Sequence, residues 1–473
     1  MRRALDDTLT LCDNGQTVKV AAVFLGLVLA CTATAQDLEQ VLDVAKWLES
    51  TEPPNDNRSL YAGTPGPALF FLELLRVTGQ DRYLKDARAR VDALLESINS
   101  EEGSGLYEGI SGIGFTLGEA YLVTHDAKYR DGAALAVELL GKRAHPAGAG
   151  VEWNDTTDII AGSSGTGLFL LWADEQLHLP AARPLAIRAG ERLIERARPP
   201  AHWQLLWMMD SKFPREMPNF SHGTAGVAYF LATLYQKTHD HKFLDAALAG
   251  ARYLTSIADT QGEACRIYHD NENKKLYYLS WCHGPAGTAR LFYRLYQVTK
   301  DPAWLDWTKK SAAALLASGA PNRVVDPGEW NNISVCCGVV GQAEFFLDMY
   351  QATKDERYQD AAAKATALVI SKATQDEKGT RCASRESHPP GTARSAGRLH
   401  ARRFRRRHVA IALERVYQPL SQTGDRFSRQ PLRLLNALPR AAPAQLPAAP
   451  SNSPAARSIP GWDARREASG SCP

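Results

Sequence analysis

Apolar and polar positions along the chain fall into two alternating textures. The first is a nearly continuous apolar run entered through a pair of glycines: "LYAGTPGPALFFLELL", "LYEGISGIGFTLGEAY", "DIIAGSSGTGLFLLWA", "NFSHGTAGVAYFLATLY", "SWCHGPAGTARLFYRLY" and "SVCCGVVGQAEFFLDMY". The paired glycines are Gly63/Gly66, Gly109/Gly112, Gly162/Gly165, Gly223/Gly226, Gly284/Gly287 and Gly338/Gly341. The second texture is Ala-rich with polar residues on one helical face, as in "VTHDAKYRDGAALAVELL" and "KTHDHKFLDAALAGARYL". There Thr and Asp sit as turn and N-cap, with an aromatic about three residues on. In the third copy, "LPAARPLAIRAGERLIERA", proline takes over the turn. Each unit therefore predicts an inner apolar helix followed by an outer amphipathic one. The units recur roughly every 45–60 residues, the range of helical-hairpin repeats. No segment carries sustained strand alternation.

This pattern predicts an all-α fold. Helical hairpins of this kind stack into a solenoid or close into an α/α toroid, a barrel of helices. In a closed ring the G-x-x-G helix starts would gather at one end. Residues just before the glycines would then converge although far apart in sequence. The plainer reading of the glycines is tight helix entry alone.

Composition narrows the picture. The chain has 473 residues, 44% hydrophobic and 23% charged, with a net charge of +3. That suffices for a large core and carries no polyanion-binding signature, so no nucleic-acid partner is expected. Near the start, Val20–Ala30 is an apolar run followed by Ala33-Thr34-Ala35. The run is too short to span a bilayer, and an A-x-A end is what signal peptidase accepts. The expectation is a signal peptide over residues 1–35, export to the periplasm or cell exterior, and no integral membrane span. Lipidation at Cys31 is the competing route, disfavoured by the bulky Leu29. Asp6 and Asp7 do not suit a signal n-region, which points to a true start near Val18. Of the eight cysteines, Cys282, Cys336 and Cys337 fall in the glycine frame.

The two residues before each first glycine form a register. It holds Tyr61-Ala62, Tyr107-Glu108, Ile160-Ala161, Ser221-His222, Cys282-His283 and Cys336-Cys337. The first pair is chemically quiet; reactive types concentrate in the later repeats. Cys282, Cys336 and Cys337 supply three thiolates, a donor set that zinc prefers, and three protein ligands leave a fourth position open. Buried free thiols, or one disulfide and a spare, are the structural alternative, and His283 competes as a ligand. His222 is either a packed residue or a general acid/base beside that metal. Asp158 is placed to orient it, with Asp155 as rival; either could instead cap the following helix.

These motifs together resemble the lanthionine synthetase C-like family. The resemblance covers about residues 40–375 and is carried by the repeated hairpins, "SHG" at Ser221–Gly223, "WCHG" at Trp281–Gly284 and "CCG" at Cys336–Gly338. It implies an α/α toroid of seven hairpins around zinc, of which six are recognisable here, with the toroid domain over 36–378. It implies Cys282, Cys336 and Cys337 as zinc ligands, His222 as catalytic acid/base and Asp158 as its helper. "CCG" stands here in the place of the commoner "CHG". The implied reaction adds a thiol to a dehydroalanine or dehydrobutyrine, giving a thioether, on a peptide or small-thiol substrate.

Three features depart from the family pattern. A basic residue often precedes "WCxG", whereas this chain reads "YYLS" over Tyr277–Ser280, leaving a tyrosine hydroxyl for that place. The chain is expected to be exported. The seventh hairpin is missing. Beyond Lys378 lysine vanishes, arginine, proline and alanine abound, and no helical period continues. A reverse translation of Arg398–Ala410, shifted by one base with third bases freely chosen, reads "GYMHGASAGVMW". This suggests a frameshift near Thr380 and a tail, 379–473, without ordered structure. The basic run Arg398–His408 would then be accidental. Two other functions compete. One is a non-catalytic zinc-dependent binder of peptides or thiols in the envelope. The other is a carbohydrate-active α/α toroid using Glu108, Asp155 and Asp158 and needing none of the cysteines.

Overall fold

The computed structural model describes residues 35–50, 57–212, 215–269, 274, 277–322 and 333–382. All of them lie within one unit, Met1–Leu435; a second, Asn436–Pro473, falls outside the described residues, as do the apolar run, Cys31 and most of the tail.

Helix α1 is Ala35–Glu49, and six hairpins follow. They are α2 (Pro65–Thr78) with α3 (Arg82–Ser97), α4 (Ile110–Thr124) with α5 (Ala127–Arg143), and α6 (Ser163–Leu177) with α7 (Ala182–Arg196). Then come α8 (Thr224–Thr238) with α9 (His241–Ile257), α10 (Pro285–Thr299) with α11 (Pro302–Ala317), and α12 (Val339–Thr353) with α13 (Glu356–Ser371). The two textures behave as expected. In α6 every residue from Ser163 to Ala173 is buried, as befits an inner helix enclosed on all sides. In α7 only Ala182, Ala186, Ala189, Gly190 and Leu193 are buried, a single stripe. Each buried Leu or Phe contributes about 1.5–3 kcal/mol, so the inner helices carry most of the hydrophobic stabilisation.

The turn between the two helices is built the same way four times. Thr124 donates to Ala120 O at 2.7 Å and accepts from the Asp126 N–H at 3.2 Å. His125 sits in the left-handed region at φ 57°, its N–H on Tyr121 O, and Asp126 caps α5 through the Lys128 N–H. Thr238-His239-Asp240, Thr299-Lys300-Asp301 and Thr353-Lys354-Asp355 repeat this arrangement. A non-glycine residue there costs about 1–2 kcal/mol, which the cap bonds on either side offset.

Inner helices α2, α4, α6, α8, α10 and α12 are neighbours in that order. Phe169 of α6 lies where a side chain on Gly114 of α4 would go, and Phe230 of α8 does the same at Gly167 of α6. Within the helices, polar ties link neighbours: Arg76–Glu119 at 3.2 Å, Lys237–Glu175 at 2.6 Å, Arg294–Gln236 at 2.7 Å and Arg290–Asp348 at 3.4 Å.

At the N-terminal ends of the inner helices, the pre-glycine loops are tied backbone to backbone. Tyr61 N–H donates to Tyr107 O (3.1 Å), and Tyr107 N–H to Ile160 O (2.9 Å). Ile159 N–H donates to Ser221 O (3.1 Å), Ser221 N–H to Cys282 O (3.0 Å), and Cys282 N–H to Cys336 O (3.0 Å). The second glycine makes room for this ladder. A Cβ on Gly287 would lie 1.8 Å from Trp281 O, and one on Gly226 2.0 Å from Phe220 O. The ladder joins the first repeat to the sixth, and the Tyr61 hydroxyl reaches the Cys336 sulfur at 3.1 Å. The described unit is thus an α/α toroid with six hairpins among the described residues.

Three small antiparallel hairpins were not foreseen. They are β1 (His145–Ala147) with β2 (Gly150–Glu152), β3 (Asp259–Gln261) with β4 (Ala264–Arg266), and β5 (Ala373–Asp376) with β6 (Gly379–Cys382). They follow α5, α9 and α13, and strands of three or four residues are too short for alternation to register. The last hairpin docks on α1: Gln375 donates to Asp43 at 2.6 Å, and Gly379 lies against Asp43 O and Trp47 N. The expected boundary at Lys378 falls inside this hairpin. The basic run and the proposed shifted frame lie outside the described residues.

Candidate functional site

The ladder fixes where each pre-glycine side chain stands. It places Cys282, before α10, beside Cys336 and Cys337, before α12. The Cys282–Cys337 sulfurs are 3.6 Å apart and the Cys336–Cys337 sulfurs 3.4 Å, and all three lie within 4.8 Å of one another. A disulfide would need about 2.05 Å, so none is formed. Sulfurs at two corners of a zinc tetrahedron, each about 2.3 Å from the metal, would be about 3.8 Å apart, close to what the cluster presents. The donors are soft, and Cys282 and Cys337 are 2% and 1% exposed. The residues therefore suit a thiophilic ion. His283 lies outside this set of three: its Nδ1 is 2.9 Å from the Cys282 sulfur, within hydrogen-bond reach of it.

His222 and Asp158 stand beside the cluster. Asp158 is buried at 2% and its Oδ1 accepts the N–H groups of Ala161 (2.8 Å) and Gly162 (2.9 Å), which open α6. Its Oδ2 is 2.6 Å from His222 Nδ1. With that nitrogen committed, Nε2 is the one left for chemistry. The His222 side chain keeps 23% of its surface open, and its backbone N–H is held by Asn219 Oδ1 at 2.9 Å. Burial opposes a charge on His222, but the Asp158 carboxylate, with Cys336 and Glu108, outweighs it and raises the pKa above the usual histidine value.

The remaining candidates separate clearly. Asp155 is exposed and engaged elsewhere, accepting from Arg196 Nη2 at 2.8 Å and the Ser211 N–H at 2.8 Å. Burial works against its charge, yet the Ser211 and Arg196 contacts hold its pKa low. Glu108 is exposed. Of the tyrosines in "YYLS", Tyr277 packs with Tyr268 and lies under Arg266, away from the cluster. Tyr278 turns inward, its ring 5.3 Å from His283 and 5.0 Å from His269.

Two residues at the site escaped the sequence reading. Tyr61, taken there as chemically quiet, bonds to Cys336. His269, buried, has its ring 4.8 Å from that of His283 at a tilt of 56°, and His283 in turn lies 5.6 Å from His222. His269 follows β4 outside the glycine frame, so nothing in the repeat marked it. Tyr61 did sit in the register, but its partner is a side chain of the last repeat. Burial, then His269 and His222, push the His283 pKa well below the usual value, which leaves it neutral at pH 7.

The sequence profile of lanthionine synthetase C-like proteins matches residues 54–397. The chain belongs to that family. Among solved structures, nisin cyclase superposes with a TM-score of 0.52 at 15% identity, covering 72% of this chain and 88% of that one. The unsaturated glucuronyl hydrolase of Bacillus sp. GL1 gives 0.43 at 15% identity, covering 72% and 97%. A D-mannose isomerase gives 0.40 at 18%, covering 59% and 78%. The nisin cyclase likeness supports the toroid fold for this lanthionine synthetase C-like chain. None of the described helices is long and apolar enough to cross a membrane.

Proposed function

We propose that this protein adds a thiol to a dehydroalanine or dehydrobutyrine residue, on a peptide or with a small-thiol substrate, using zinc held by Cys282, Cys336 and Cys337. The observation that carries this reading is the convergence of three cysteines outside any disulfide and an aspartate-held histidine, drawn from four separate repeats, on one end of the ring. Family membership supports it. Bound there, zinc would supply an open position that lowers the pKa of the substrate thiol.

The residues divide the remaining work. Attack of sulfur on the β-carbon forms the C–S bond and sends the π electrons towards the carbonyl, leaving an enolate. That enolate needs a proton at the α-carbon, and His222 is placed to give it from Nε2. Asp158, clamped by two N–H groups, holds the His222 tautomer and stabilises its protonated form. The proton lost by the thiol balances the one gained at carbon. Of the two tyrosines before Trp281, Tyr278, whose ring packs on His283 and His269, takes the place of the family's basic residue and steadies the enolate oxygen.

The carbohydrate reading fares worse, because Asp155 is occupied by Arg196 and Ser211, and Asp158 by His222 and two backbone N–H groups. The test begins with metal content. Wild-type protein is expected to hold close to one zinc per chain, and Cys282→Ala far less. Folded wild-type protein without zinc would overturn the metal mechanism. The export reading of Val20–Ala30 stands as part of the proposal; N-terminal sequencing of protein recovered from the periplasm should begin at Gln36.

A further inference from the structure

A centre made of three thiolates and one divalent ion carries a net negative charge in a buried place, where an unbalanced charge is costly. Among the described residues the Ser280 hydroxyl lies 3.8 Å from Cys282 Sγ, and two longer side chains come closer to the sulfurs. The Tyr61 hydroxyl is 3.1 Å from Cys336 Sγ, and His283 Nδ1 is 2.9 Å from Cys282 Sγ. A ligating thiolate has no proton to give. Tyr61 must then be the donor in its pair, and the ring proton of His283 must sit on Nδ1, leaving Nε2 an acceptor.

We infer that Tyr61 and His283 are positioning residues that moderate the charge of the thiolate cluster, each donating a hydrogen bond to one sulfur. This rests on the metal reading above. The two come from well-separated repeats, the first hairpin and the fifth, and neither is needed to complete the ligand set. A hydrogen bond draws electron density from the thiolate, so the sulfurs push less on the metal and on whatever thiol it holds. A third cysteine ligand makes the centre more electron-rich than one with a histidine in that place. Donation from Tyr61 and His283 works against that excess.

The test uses cobalt(II) as a spectroscopic replacement for zinc in the full chain. Sulfur-to-cobalt charge-transfer bands move to lower energy when a thiolate loses a hydrogen bond. Tyr61→Phe removes only the hydroxyl and should shift these bands to lower energy, with one cobalt per chain retained and the tetrahedral visible bands kept. His283→Phe should do likewise, and the double variant should shift further. His283→Asn, whose amide nitrogen stands near the Nδ1 position, should restore the wild-type bands. Unmoved bands in Tyr61→Phe and His283→Phe, with cobalt fully bound, overturn this inference and leave the metal reading intact. A wild-type protein that takes up no cobalt overturns both.

Discussion

His222 is held from two sides, by Asp158 through its ring and by Asn219 through its backbone, so its position is set before any substrate arrives. Replacing it with alanine should lower the rate of thioether formation by about 10²–10⁴-fold while zinc content stays at the wild-type level. Paired rate and metal measurements check this. Asp158→Asn acts through the pKa. The aspartate raises the His222 pKa, so the acid form persists to higher pH and the rate falls only as pH climbs through that raised value. Without the carboxylate charge the alkaline limb of the pH–rate profile should move to lower pH; an unmoved limb would show that another group sets it. The cysteines and His222 were readable because each repeat offers the same two slots, so a reactive residue there stands out against its counterparts. Asp158 stood outside those slots and had a rival in Asp155; only the fold showed that Arg196 claims the latter. Tyr61 shows the limit: a tyrosine in the register says nothing until the ring brings the first repeat to the last.

Hairpins were the most legible elements, because an inner helix buried on every side and an outer helix buried along one stripe leave different marks on sequence. The paired glycines were legible as helix starts, but the reason for the second one was not. It faces a carbonyl six residues back, a contact visible only once the loop is folded. Two substitutions separate this from ordinary backbone cost. Gly262→Ala, in the β3–β4 turn at φ +60° with nothing within 4 Å, should cost about 1–2 kcal/mol. Gly287→Ala puts a methyl group 1.8 Å from Trp281 O, and should reach or exceed the upper end of the ~1–3 kcal/mol typical of overpacking. Thermal unfolding of both variants tests the order. Because Trp281 precedes Cys282, Gly287→Ala should also lower zinc content, whereas Gly262→Ala should not.

At the scale of the ring, a metal held by Cys282, Cys336 and Cys337 joins the fifth repeat to the sixth. A chelator should therefore lower the melting temperature, in step with a stabilisation of about 4 kcal/mol for a site filled at a thousand times its dissociation constant. Sulfurs 3.4–3.6 Å apart and not joined in a disulfide are also poised to oxidise. Metal-free protein left in air should lose two titratable thiols, chiefly as a Cys282–Cys337 bridge, since adjacent Cys336 and Cys337 close a strained ring; zinc-loaded protein should keep them. Thiol titration with peptide mapping decides it. The order of repeats around the ring followed from the sequence, but its closure did not, because the Tyr61–Cys336 contact spans 275 residues. The loop ladder has one more consequence. It is made of main-chain atoms alone, so it dictates where a side chain will stand without caring which one it is. Ala62 and Ala161, both partly open, occupy the same slot that elsewhere holds Glu108, His222, His283 and the buried Cys337. They are ready-made addresses on the rim, where a new acid, base or ligand can be installed by one codon change with its backbone coordinates already known.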